Sequence, residues 1–129
     1  MADAVATQVL FEDSYKYIAK FTNLSDGTGE SAVAKVDVSG LTPASNEVII
    51  EEVWYSVSGM NVTLLWDATT DVRCLELGAN TGYLDLRKFG GLPNDAGTGK
   101  TGDLLFTTTG HTLGDSYSII LSCRKVRKP

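Results

Sequence analysis

The sequence predicts an all-β fold: a single-domain antiparallel β-sandwich, jelly-roll-like, of eight or nine strands. Three observations lead there. Apolar residues recur with a period of two rather than 3.6, the mark of strands with one buried face. Thirteen glycines, with clusters of Asp, Asn, Ser and Thr, punctuate the chain at spacings of about 8–15 residues, as in sandwiches and jelly rolls. No window of about ten residues carries a helical apolar stripe. The 129 residues suit one domain. Surface scaling predicts that about two-thirds of the unfolded chain's surface is buried, enough for a core without a metal or disulfide staple.

Nine strands are expected, at 7–12, 15–22, 32–38, 47–57, 61–67, 72–77, 82–87, 103–109 and 115–124. In the second, Tyr15, Tyr17, Ala19 and Phe21 alternate with Lys16, Ile18 and Lys20. In the third, Ala34, Val36 and Val38 alternate with Lys35 and Asp37. The fourth is the longest and carries Val48, Ile49, Ile50, Val53 and Val57 with Trp54 and Tyr55, a composition that suits a pleated surface. Val62, Leu64 and Trp66 share a face of the fifth, Leu84 and Leu86 one of the seventh, and Tyr117, Ile119, Leu121 and Cys123 one of the ninth. Asp26-Gly27-Thr28-Gly29, Ser58-Gly59 and Gly78 to Gly82 supply turns, and Gly110 to Gly114 closes the last hairpin. Residues 89–102 form a long glycine-rich loop, a length that is often functional. Residues 1–6 and 125–129 lack pattern and read as an N-terminal arm and a basic C-terminal tail.

Charge and composition remove several function classes. The net charge of −5 repels phosphate backbones, so no nucleic-acid partner is expected. No apolar run is long enough for a membrane-spanning helix, and no membrane partner is expected. Met1-Ala2-Asp3-Ala4 shows neither a basic stretch nor an apolar core, so no secretory signal is expected. The basic residues are unevenly placed: Arg124, Lys125, Arg127 and Lys128 close an otherwise strongly acidic chain. Cys74 and Cys123 lack metal spacing and read as buried thiols, with a bridge left open if their strands are neighbours.

The chemical motifs are weak. Gly97-Thr98-Gly99-Lys100-Thr101 resembles part of a phosphate-binding loop, but Asn94 stands where the first glycine belongs and a strand follows instead of a helix. It reads as a flexible hairpin loop. His111 is the single histidine, in a glycine turn, without a nucleophile motif. Glu51 and Glu52 are expected on opposite faces of one strand, which rules out an acid pair between them. Asp67 and Asp71 bracket a polar loop that reads as an aspartate-capped turn before it reads as a calcium site. No catalytic, cofactor or metal residue is therefore assigned. Trp66 belongs to the core. Trp54 and Tyr55 point to opposite faces, and Tyr55 is the aromatic expected outside, as an interface anchor.

Val36-Asp37-Val38-Ser39-Gly40-Leu41, the run Val53 to Met60, Leu64 to Asp71, Phe89-Gly90-Gly91-Leu92-Pro93 and Gly102-Asp103-Leu104-Leu105 together resemble the small β-sandwich head-decoration, or cement, proteins of tailed bacteriophages. The resemblance spans residues 15–125 and is one of overall pattern. It implies a virion structural protein without enzymatic activity. Such a protein is made in the host cytoplasm and bound to the capsid exterior, with the major capsid protein and further copies of itself, as dimer or trimer, for partners. The interface residues expected on this basis are Ala2, Asp3, Ala4, Val5, Tyr55, Leu92, Pro93, Arg124, Lys125, Arg127 and Lys128. The alternatives are a glycan-binding module, marked by an exposed aromatic pair and a shallow groove, and a tail or fibre component for host attachment.

Overall fold

The computed structural model describes residues 4–41 and 43–126. Nine strands form two antiparallel sheets: β1 (Ala4–Glu12), β2 (Lys16–Leu24), β3 (Val33–Val36), β4 (Glu47–Ser58), β5 (Asn61–Trp66), β6 (Val72–Leu77), β7 (Thr81–Asp85), β8 (Leu104–Thr109) and β9 (Ser116–Val126). One sheet has the order β1-β2-β9-β4-β7 and the other β3-β8-β5-β6. Without β1, these are the two four-stranded sheets of a jelly roll, in which strands distant in sequence lie side by side and only β5 and β6 pair as consecutive strands. The ninth strand, β1, is added at the rim of the larger sheet and packs chiefly on β2.

Every expected strand is present. The differences lie at the ends. β3 stops at Val36, because Asp37 caps a single 3-10 turn, Val38–Gly40, by accepting the Ser39 amide. β7 stops at Asp85, and a second such turn, Arg87–Phe89, ends at Gly90 in the left-handed region with φ 85°. The expected arm and tail are corrected where they are described. Residues 4–6 belong to β1, paired with Thr22 to Leu24, and residues 125–126 belong to β9, paired with Glu47 and Val48.

The core lies between the sheets. Phe106 meets Phe21 edge-on at 5.4 Å and Tyr117 at 5.8 Å, arrangements that add to burial of the rings. Trp66 is 1% exposed, as its alternation with Val62 and Leu64 predicts. Burying each such side chain contributes about 1.5–3 kcal/mol. Cys123 is fully buried and Cys74 half-buried, and both are free thiols. Burial first, and the Glu51 charge second, push the Cys123 thiol up to about 12.

One irregularity re-aims the longest strand. β4 carries a bulge between Ile50 and Glu52. Continuing the phase of buried Val48 and Ile50 would place Trp54 inside and Tyr55 outside. The extra residue inverts the alternation. Val53, Tyr55 and Val57 turn towards the core, and Trp54 faces out. Tyr55 is thus not the exposed anchor expected from the sequence. It is half-buried and lies over Gly82, where a Cβ would meet its ring. The bulge also overturns the expectation that Glu51 and Glu52 take opposite faces. Glu51 reaches Lys16 and Arg124, Glu52 reaches Tyr83, and these partners project from the outer side.

Candidate functional site

The sequence-predicted interface residues separate into different environments. Ala2, Asp3, Arg127 and Lys128 lie outside the described residues. Ala4 and Val5 are exposed in β1. The remaining candidates, Leu92, Pro93, Arg124 and Lys125, cluster at the β4–β9 end but do not form an open basic patch. Arg124 donates to the Glu51 carboxylate and to the Gly90 carbonyl, both at 3.2 Å. Lys125 takes an inward position in line with Tyr117, Ile119, Leu121 and Cys123. Its Nζ donates to Glu12 and to the Pro43 carbonyl, both at 2.9 Å. Lys125 is spent on an internal carboxylate, so the tail expectation fails for it; Arg124, in the strand as expected, pairs with Glu51 while its side chain stays 43% exposed.

The 89–102 loop is anchored to the sandwich at several points. Leu92 exchanges two backbone hydrogen bonds with Ile50, at 2.8 and 3.1 Å. Pro93 beside it is exposed. Asn94 is buried and its Oδ1 accepts the Ala96 amide. Lys100 donates to the Asn94 carbonyl and pairs with Glu47 at 2.9 Å. The Thr69 amide donates to the Thr98 carbonyl. Gly102 sits at φ 93°, where a Cβ would run into the Asn46 carbonyl oxygen. The glycines in this loop serve a tight return across the end of the sandwich, and Lys100 serves an ion pair instead of a phosphate.

The residues weighed for catalysis are engaged in structure. His111 bridges the Thr28 carbonyl, 3.1 Å from Nε2, and the Thr108 hydroxyl, 3.3 Å from Nδ1. Asp71 accepts the Ala68 amide and Asp67 accepts the Thr101 hydroxyl, which makes their loop the capped turn the sequence favours. Among the described residues no group of three metal-ligating side chains gathers, and no helix is long and apolar enough to cross a membrane.

A buried polar cluster went unseen in the sequence. Glu30, in the second interstrand loop, accepts from the Tyr117 hydroxyl at 2.6 Å and from Asn23 at 2.9 Å, and pairs with buried Lys35. Three separate strands supply its partners. Only the position of Tyr117 in its alternating run hinted that a hydroxyl faces inward; alternation set Lys35 on the face opposite Val36, and the register shift between Ala34 and Val36 is what the sequence did not show.

Two exposed apolar surfaces stand out among the described residues. The first is the rim strand. Between Ala4 and Phe11, β1 carries no charged residue, and Val5, Val9, Leu10 and Phe11 are each about half exposed. Val5 and Val9 stand opposite Asn23 and Ala19 of β2, both buried. They stay exposed at the rim, where β1 packs chiefly on β2. Past the bulge at Leu10 the phase inverts, and Phe11 stands opposite Ile18 on the outer side. The second surface is the outer face around Trp54. Its indole stacks on Tyr83 at 5.2 Å with a 27° tilt. The Tyr83 hydroxyl donates to Glu52 at 2.6 Å, and that hydrogen bond raises the phenol's pKa. Beyond them Arg87 grips Asp85 through two bonds of 2.9 and 3.0 Å, which holds that carboxyl at about 2.

No family model matches the chain, and no curated protein matches it. A solved structure of a cupin superfamily protein from Desulfitobacterium hafniense DCB-2 shares 11% identity over 98% of this chain and 81% of that one, with a TM-score of 0.39. The architecture of this chain therefore stands on its own strand order: it is an all-β sandwich of jelly-roll topology with one added rim strand.

Proposed function

We propose that the chain is a non-enzymatic virion structural protein that binds the outer surface of a phage capsid and stabilises it. The resemblance to head-decoration proteins motivates this reading, and one observation carries it: the bare, uncharged rim strand β1. Natural sheets protect such rims with lysine, proline or a covering loop. Here residues 4–11 hold neither lysine nor proline. At about 3.4 Å per residue, nine residues offer a template roughly 30 Å long for strand addition. A stable interface takes about 800 Å² per partner, about an eighth of the chain's 6481 Å². A pre-ordered strand supplies much of that with little ordering cost. Repetition over a shell multiplies weak single contacts. The engagement of His111, Asp67, Asp71, Glu51 and Glu52 in internal bonds supports a binding role over a catalytic one.

The test uses heads purified from particles in which mass spectrometry finds this chain. Val9→Lys with Leu10→Lys places two charges on the rim and should lower occupancy about tenfold or more, with the melting transition intact. Neutralising Arg127 and Lys128 together tests the tail. Unchanged occupancy in both variants overturns the reading, as does absence of the chain from virions.

A further inference from the structure

The outer face of the larger sheet carries a groove whose construction follows from the register. Tyr83, Trp54 and Ile120 stand side by side on β7, β4 and β9, and one step along the strands stand Thr81, Ser56 and Ser118. Thr22 continues the second row on β2, opposite Ser118. Three bulky side chains thus adjoin a line of small hydroxyl-bearing ones. The difference in height leaves a shallow groove of about 270 Å³, with Trp54 and Ile120 on one side and Tyr55, Ser56, Thr81, Gly82 and Ser118 completing its lining.

We propose that this groove binds a neutral saccharide, one ring of a longer glycan lying across the sheet. A sugar ring has an apolar C–H face and a rim of hydroxyls. The groove is lined chiefly by apolar surface, which matches the C–H face of a ring, and the hydroxyls of Ser56, Thr81 and Ser118 border it as donors and acceptors for the ring's own hydroxyls. Ser56 and Thr81 already hold each other at 3.2 Å, so these two hydroxyls are oriented before a ligand arrives. Trp54 is fixed in the same way, by its stack on Tyr83 and the Tyr83 bond to Glu52. Preorganisation of this kind reduces the cost of binding. No charged side chain lines the groove, and the chain is acidic overall, so an uncharged ligand is favoured over a uronic or phosphorylated one. The volume lies just below the roughly 300–1,000 Å³ of enclosed ligand pockets, which suits a single ring on an open surface. The site is distinct from the β1 rim and does not depend on the capsid reading.

The chain supplies its own reporter. It has two tryptophans. Trp66 is buried, and Trp54 is 38% exposed, so a neutral quencher such as acrylamide acts on Trp54. The probes are the hexasaccharides of β-1,4-glucose, α-1,4-glucose and β-1,4-N-acetylglucosamine, with hexagalacturonate as the charged comparison. At least one neutral hexasaccharide should protect Trp54 with a saturating dependence below about 10 mM. Ser118→Leu, which fills the groove without touching the indole, should weaken that protection about tenfold or more. Ile120→Ser, which removes part of its apolar side, is the second variant should Ser118→Leu fail to fold, as judged from the near-ultraviolet signal of Trp66. Three results overturn the proposal: no protection by any neutral probe, equal protection by hexagalacturonate, or native-like binding in the folded variants. Protection of Trp54 that grows with protein concentration and without sugar also overturns it, because the occupant is then a second copy of the chain.

Discussion

The Lys125 ammonium lies 2.9 Å from the Glu12 carboxylate, and the Lys125 side chain has no solvent exposure. The pair clips the end of the added strand β1 to the last strand of the jelly roll, across β2. Removing one partner of a buried pair leaves an uncompensated charge, at a cost of about 3–5 kcal/mol. Lys125→Ala should show a loss of that order in urea unfolding. Lys125→Met combined with Glu12→Leu should recover most of it.

The Glu30 cluster gives a graded series. Tyr117→Phe removes one hydrogen bond to a charged acceptor and should cost about 1.5–3 kcal/mol. Glu30→Ala strands buried Lys35 and should cost about 3–5 kcal/mol. Equilibrium denaturation of both variants reads the difference, and equal losses would show that Lys35 escapes to solvent.

Two glycines in the 89–102 loop make a matched comparison. Gly102→Ala forces a Cβ into the Asn46 carbonyl oxygen at φ 93° and should cost about 2 kcal/mol or more. At Gly97 a Cβ meets nothing within 4 Å, and Gly97→Ala should stay within about 0.5 kcal/mol of the parent or gain slightly. Thermal unfolding of the two proteins is sufficient to separate them.

Acid sensitivity follows from two depressed carboxyls. Arg87 holds Asp85 at about 2, and the amides of Tyr15 and Lys16 lower Asp13. Each contributes stability that is complete above its ordinary value of 3.8 and is lost as pH falls through the folded value. Asp103 has the opposite sign: burial raises it, so its contribution is full at low pH and fades as pH rises through its folded value. Stability should therefore decline between about pH 4 and pH 2, and Asp13→Asn with Asp85→Asn should flatten that decline in a pH series of melting curves.

The alternation of buried and exposed residues made the core-forming strands legible, and Trp66 could be placed from its spacing to Val62 and Leu64. β1 was recognised only from Thr7 onwards, because a strand exposed on both faces has no reason to alternate, and Ala4-Val5-Ala6 does not. Lys125 has the parity of Cys123 and Leu121, yet it stood in a run of basic residues that resembles a solvated end. Its partner Glu12 is 113 positions away. Tyr55 and Trp54 exchanged places because one inserted residue in β4 inverts the pleat, and a bulge leaves no mark in composition. The hydroxyl row beside Trp54 is assembled from three strands whose neighbours are set by topology, so no local stretch of sequence contains it.

The Cys123 thiol makes the sandwich its own stopwatch. Cys123, closed off from solvent and resistant to ionisation, cannot meet an alkylating reagent until β9 parts from its neighbours. Because β9 is the central strand of the larger sheet, its modification rate counts whole-domain openings, and fraying of β1 leaves no trace in that count.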